Sequence, residues 1–124
     1  MDDAMHPLAL VVDDEALLRL YAAGVLEDHG FKVVEAENAA AALNVLEANS
    51  NVRLLFTDIQ MPGELNGMGL AREVHARWPD VLLVITSGQT RPNPADIPDD
   101  GRFIEKPYRA ADLLSEVDDL MRKS

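Results

Sequence analysis

Short apolar runs alternate with stretches of helical periodicity from one end of this chain to the other, and no other feature restricts the fold as much. Leu8–Val12, Phe31–Ala36, Val52–Thr57, Val81–Thr86 and Arg102–Glu105 read as strands. The first is a continuous apolar run, the pattern of a strand covered on both faces. Between the strands, Glu15–His29 sets Leu17, Leu18, Tyr21 and Val25 on one helical face and ends at Gly30, a residue suited to the position after a helix C-cap. Asn38 is placed to cap a helix over Ala39–Ala48, whose alanines have high helix propensity. Met68–Trp78 is a third helix, stopped by Pro79. The last, Ala110–Arg122, gathers Leu113, Leu114, Val117, Leu120 and Met121 on one stripe. Five strands alternating with helices in 124 residues predict an α/β fold, a doubly wound parallel sheet. No repeat, low-complexity tract or linker divides the chain. One domain over 8–124 is expected, with 1–7 as a disordered N-terminal tail.

Composition removes several function classes. Twenty-two acidic residues against 11 basic ones give a net charge of −11, which disfavours direct nucleic-acid binding through a phosphate backbone. There is no cysteine, hence no disulfide, thiolate nucleophile or thiolate metal site. No apolar run is long enough to span a membrane, and Met1–Pro7 lacks the pattern of a secretory signal. A cytoplasmic location with no membrane attachment is expected.

In parallel α/β sheets ligands bind beyond the carboxyl ends of the strands, at the point where strand order reverses. Three predicted strands run out into ionisable residues there: the first into Asp13-Asp14-Glu15, the third into Asp58, the fifth into Glu105-Lys106-Pro107. If the first and third strands are neighbours, three carboxylates converge. Two such charges about 5 Å apart repel by roughly 3 kcal/mol at an effective dielectric of about 20, so a fold that gathers them calls for a cation. Hard oxygen ligands fit Mg²⁺ better than zinc. Each residue also has a simpler reading: Asp13 or Asp14 as a helix N-cap, Asp58 as the opening of a turn, Lys106 as a solvated strand-end charge. His6, His29 and His75 lack metal-ligand spacing and read as surface residues, and Trp78 reads as helix packing.

The segments Leu10-Val11-Val12-Asp13-Asp14-Glu15, Thr57-Asp58-Ile59-Gln60-Met61-Pro62-Gly63, Val84-Ile85-Thr86-Ser87-Gly88 and Phe103-Ile104-Glu105-Lys106-Pro107 resemble, in order, the four motifs of response-regulator receiver domains. The resemblance runs from about Leu8 to Leu120. It implies the flavodoxin-like strand order 2-1-3-4-5, a phosphoryl group accepted on Asp58, and Mg²⁺ held by Asp14 directly, by Asp13 through water, by Asp58 and by the backbone carbonyl of Gln60. It further implies Lys106 as the cation for a phosphoryl oxygen, Ser87 as the hydroxyl that bonds the bound group, Phe103 as an aromatic switch, and a cis Lys106-Pro107 bond. The implied partners are a histidine kinase or histidine phosphotransfer protein and a protein output target. No enzymatic activity is implied beyond the domain's own phosphoryl transfer and dephosphorylation. Thr86 competes with Ser87 for the hydroxyl role, although Ser87-Gly88 fits the family's hydroxyl-then-small pattern better.

Two departures stand out. The stretch from Asp58 to Asn66-Gly67 is one residue longer than in the chemotaxis response regulator, which predicts a bulge around Gly63-Glu64-Leu65. The helix usual between the fourth and fifth strands falls on Gln89–Gly101, where Pro92, Pro94 and Pro98 remove donors and bias their predecessors away from helical angles. At most about one helical turn is expected there, so the fourth helix is short or missing, and a monomer or weak dimer follows. Gln60 and Gln89 flank the expected route of water to the phosphoryl group. An aspartate-nucleophile phosphatase would need a carboxylate where Gln60 stands. A flavodoxin-like flavin binder would need a phosphate loop where Asp13-Asp14-Glu15 would repel one. The chain also fits a receiver excised from a hybrid kinase or larger regulator.

Overall fold

The computed structural model describes residues 7–60, 66–88, 91–98 and 101–123. Five strands, β1 (Leu8–Val12), β2 (Lys32–Ala36), β3 (Val52–Asp58), β4 (Leu82–Ser87) and β5 (Arg102–Glu105), form one parallel sheet in the order 2-1-3-4-5. Four α-helices connect and cover them: α1 (Ala16–Asp28), α2 (Ala39–Ala48), α3 (Gly67–Arg77) and α4 (Ala110–Lys123). This is the doubly wound α/β architecture expected from the alternation of elements, in the flavodoxin-like order that the resemblance implies.

The strands divide their side chains between two cores, as the two-residue period of a strand requires. Leu8, Leu10 and Val12 of β1, with Leu55, Leu83 and Ile85, pack against Ala42 and Leu46 of α2 and Leu70 and Val74 of α3. Ala9 and Val11, with Leu54, Phe56 and Val84, pack against Ala22 and Leu26 of α1 and Leu113, Val117 and Leu120 of α4. Alanines at 39 and 42 let α2 approach the sheet closely, and its first turn is fixed by the Asn38 carboxamide oxygen, which accepts from the Ala41 amide at 2.8 Å.

Several predicted boundaries move for identifiable reasons. Phe31 is not in β2: its amide donates to the Leu26 carbonyl while that of Gly30, at φ +106°, donates to Glu27, closing α1 in a Schellman turn. α3 starts one residue earlier, behind Asn66, whose side-chain oxygen accepts from the Gly69 amide. β3 runs on to Asp58 and β4 to Ser87, because the Ile59 and Lys106 amides extend the ladders onto the carbonyls of Thr86 and Ser87. The last two extensions carry candidate site residues to strand ends.

Between β4 and β5 the described residues hold a single 3-10 turn, Pro94–Asp96, with the Asn93 side chain accepting from the Ala95 amide. That agrees with the proline argument. Ile97 ends the turn and packs partly against the first core. The predicted bulge at Gly63-Glu64-Leu65, the predicted tail through His6, and Gln89 lie outside the described residues. No helix among the described residues is long and apolar enough to cross a membrane.

Candidate functional site

The order 2-1-3-4-5 reverses between β1 and β3, so the carboxyl ends of these two strands flank the crevice at the switch point. Val12 pairs with Thr57. The next residues along, Asp13 and Asp58, therefore emerge side by side, both 4% exposed. Asp14 follows in the exposed loop. One carboxylate oxygen from each of the three lies within 4.8 Å of the others.

Neither Asp13 nor Asp14 caps α1. The N-cap is Glu15, which makes no side-chain capping bond, and the Asp13 Oδ1 instead accepts from the Glu15 amide at 2.9 Å. The simple helix-cap reading of these aspartates is therefore set aside. Asp58 uses Oδ1 to accept from the Gln60 amide at 3.1 Å, a bond that holds the start of the following loop against its own carboxylate.

Lys106 arrives from the end of β5 and joins the pair. Its Nζ lies 3.0 Å from Asp58 Oδ2, 3.2 Å from Asp13 Oδ2 and 3.7 Å from Glu15 Oε1. The peptide bond that follows, Lys106-Pro107, is cis. Burial works to lower the Lys106 pKa, but its hydrogen bond to Asp58 and the charges of Asp13 and Asp58 outweigh burial and hold it above its ordinary value. For Asp13, burial pushes the carboxyl up; the Glu15 amide and Lys106 pull it back, and the charge of Asp58 pushes it up again, leaving a net rise. One ammonium thus offsets only part of the negative charge gathered here, and the remaining oxygens suit a hard divalent cation.

Ser87 ends β4, buried, with its carbonyl accepting from the Lys106 amide at 3.0 Å. Its register partner is Glu105, while Thr86 stands opposite Asp58. The Thr86 hydroxyl is buried and has no hydrogen-bond partner among the described residues. Phe103 pairs with Ile85, two residues before Ser87, and so shares Ser87's face of the sheet. It is half-buried against the first core, with the Arg91 guanidinium 5.7 Å from its ring.

Two contributors escaped sequence reasoning. Tyr108, two residues beyond Lys106, packs edge-on to Phe56 at 5.5 Å and tilted against Tyr21 at 6.0 Å, within electrostatic reach of Asp13 and Asp58. Burial first, then the negative charge of Asp13, with Tyr21 and Asp58, raises its phenol far above the usual range, so it stays protonated. Gly67, the first residue of α3, lies so close to the end of β3 that a Cβ there would overlap the carbonyl oxygen of Asp58. Its amide also donates to the Ile59 carbonyl at 2.9 Å. Its place after the capping Asn66 was visible in the sequence; its role as a spacer was not. His29 and His75 stand away from the carboxylates, His29 pairing with Asp118 at 2.7 Å across α1 and α4. Trp78 packs partly against the first core beneath the Arg77 guanidinium.

A flavodoxin-like sheet with a carboxylate trio and a strand-end lysine at its switch point defines the class: a doubly wound α/β domain with an acidic cluster where the strand order reverses. The family model for the response regulator receiver domain matches residues 9–118, and the chain belongs to that family. It is 31% identical over 115 residues to the response regulator receiver protein CpdR of Brucella abortus (strain 2308), covering 90% of this chain and 94% of that protein. It is 30% identical over 118 residues to the sensor kinase CckA of the same organism, covering 92% of this chain but only 12% of the kinase. Among solved structures, a response regulator receiver protein from Sinorhizobium medicae WSM419 matches with a TM-score of 0.88 and 29% identity, over 96% of this chain and 97% of the other. The chain is a receiver domain of two-component signalling.

Proposed function

We propose that this receiver accepts a phosphoryl group on Asp58 from the phosphohistidine of a histidine kinase or histidine phosphotransfer protein. The observation that carries the reading is the Lys106 ammonium seated between Asp13 and Asp58, with Asp14 completing the carboxylate trio. Asp13, Asp14, Asp58 and the backbone carbonyl of Gln60 would hold Mg²⁺. When bound, the ion neutralises charge on the transferring group and orients its oxygens.

The chain's own residues do the rest. A carboxylate oxygen of Asp58 forms the new O–P bond as the P–N bond of the donor breaks, and the imidazole leaves with the electron pair. The Gln60 amide and Lys106, one on each oxygen of Asp58, fix that carboxylate's direction before the donor arrives. Lys106 can then move its contact to a phosphoryl oxygen, and the Ser87 hydroxyl takes another. Rearrangement at Ser87 and Phe103 would carry the signal to a protein partner, by loop movement, since a 3-10 turn replaces the helix usual in this place. This reading makes the chain a phosphoacceptor, active only on its own phosphoryl group, monomeric or weakly dimeric, and at work in the cytoplasm.

Incubation with acetyl phosphate tests it: incorporation should require Mg²⁺. Lys106→Ala should slow incorporation while leaving Mg²⁺ binding largely intact. Incorporation that persists unchanged in EDTA would refute the metal-assisted mechanism.

A further inference from the structure

We infer that Arg19 is a positioning residue for the metal site, acting through the main chain of Asp13 and held in place by Glu35. The inference rests on the Mg²⁺ reading above and assigns a role to two residues outside the carboxylate trio.

Beyond Val12 the β1 chain leaves the sheet. The Asp13 amide still reaches the Ala36 carbonyl of β2 at 3.2 Å, but among the described residues no strand amide donates to the Asp13 carbonyl. Arg19, one turn into α1, fills that gap: its Nη1 donates to the Asp13 carbonyl at 2.8 Å. Its Nε donates to Glu35 Oε1 at 3.0 Å, and Glu35 is the β2 partner of Val11. The planar guanidinium therefore ties the helix, the end of β1 and the neighbouring strand together. Its side chain is only 18% exposed.

Asp13's polar contacts show what this bond completes. The carboxylate is fixed by the Glu15 amide and Lys106, and the amide by β2. The carbonyl is the remaining anchor, and it begins the peptide unit that leads into Asp14, whose side chain is exposed and takes its direction from the backbone. Releasing the carbonyl would let the Asp13–Asp14 peptide rotate and misdirect the Asp14 carboxylate. An ordinary ion pair between Arg19 and Glu35 would do none of this. A lysine at position 19 could replace one of the two bonds but not both, because the guanidinium fork supplies two donors in fixed geometry.

Mg²⁺ affinity, measured by calorimetric titration of the folded protein, separates the roles. Arg19→Ala should weaken Mg²⁺ binding about tenfold, at the low end of what loss of an outer contact costs a metal site. Arg19→Lys should recover part of that loss, and Glu35→Gln should cause a smaller one. In the Arg19→Ala background, Glu35→Gln should add nothing, because Glu35 acts only through Arg19. Arg77→Ala, which breaks a comparable surface network with Glu47 and Glu73, should leave Mg²⁺ affinity unchanged. Wild-type affinity in Arg19→Ala, or a full additional loss from Glu35→Gln in that background, would overturn the assignment. If Arg19→Ala does not fold, wild-type affinity in both Arg19→Lys and Glu35→Gln overturns it equally. A wild type that shows no Mg²⁺ binding sensitive to Asp14→Asn would instead bring down the metal reading, and this inference with it.

Discussion

At the scale of single residues, the hydroxyls of Thr86 and Ser87 separate two readings of the same motif. Thr86 faces Asp58 across the ladder, yet its buried hydroxyl has no partner among the described residues. Replacing it by valine removes no hydrogen bond and keeps the volume. Thr86→Val should therefore leave thermal stability unchanged or higher, with phosphate uptake intact. Ser87→Ala should slow uptake or alter the lifetime of the acyl phosphate. The opposite pattern in parallel melts and labelling time courses would transfer the hydroxyl role to Thr86. Asp13 offers a second test with a definite sign. Its folded pKa lies above the ordinary carboxyl value of 3.8, chiefly because it is buried, so without metal its ionised form weakens the fold. That penalty is absent well below pH 3.8 and grows as pH rises through the folded value. Asp13→Asn should melt above wild type in EDTA at neutral pH, and the gap should close on acidification. A mutant melting below wild type at pH 7 would contradict this. The raised Lys106 works the other way: its stabilisation is complete below 10.5 and is lost as pH rises through its folded value.

At the scale of elements, the sequence showed most where the signals were local. The Asn38 cap, the Gly30 stop, the Pro79 stop and the three prolines that leave a single 3-10 turn among the described residues before β5 all act within a few residues, and each appears where expected. Phe31 left β2 through a local bond, its amide closing α1 on the Leu26 carbonyl. Ser87 joined β4 because Lys106, nineteen residues on, bonds its carbonyl, and a partner so distant in sequence leaves no local signal. The same limit hid Gly67. Only the crossing of α3 over the end of β3 shows that a side chain there would collide with the backbone of Asp58 and Ile59. Rigid backbone cannot yield as a flexible side chain could. Gly67→Ala should cost roughly 1–3 kcal/mol of stability by overpacking and lower phosphate uptake more than its melting point alone explains. Urea unfolding alongside labelling kinetics would check this; a variant with wild-type values in both would remove Gly67 from the account.

At the scale of the whole molecule, the site exists because a fold held by two apolar cores can tolerate a locally unfavourable cluster. The acidic trio and Lys106 come from β1, β3 and β5, drawn together from sequence positions 13 to 106 by the strand order. The four motifs foretold their meeting; Tyr108 and Arg19 were beyond reach, because neither sits in a pattern that names its partner. A cation that binds only the folded state adds stability by mass action. Mg²⁺ at a hundredfold excess over its dissociation constant should raise stability by roughly 2.7 kcal/mol. Asp14→Asn should largely abolish that gain, as thermal melts at matched ionic strength would show.

The most direct measurement of the central claim is peptide mapping by mass spectrometry after reaction with acetyl phosphate, with and without Mg²⁺, on wild type and Asp58→Asn. One acyl phosphate is expected, on Asp58, formed only with Mg²⁺ and missing from the variant. Undiminished phosphate in Asp58→Asn, or a wild-type modification mapped to any other residue, would contradict it.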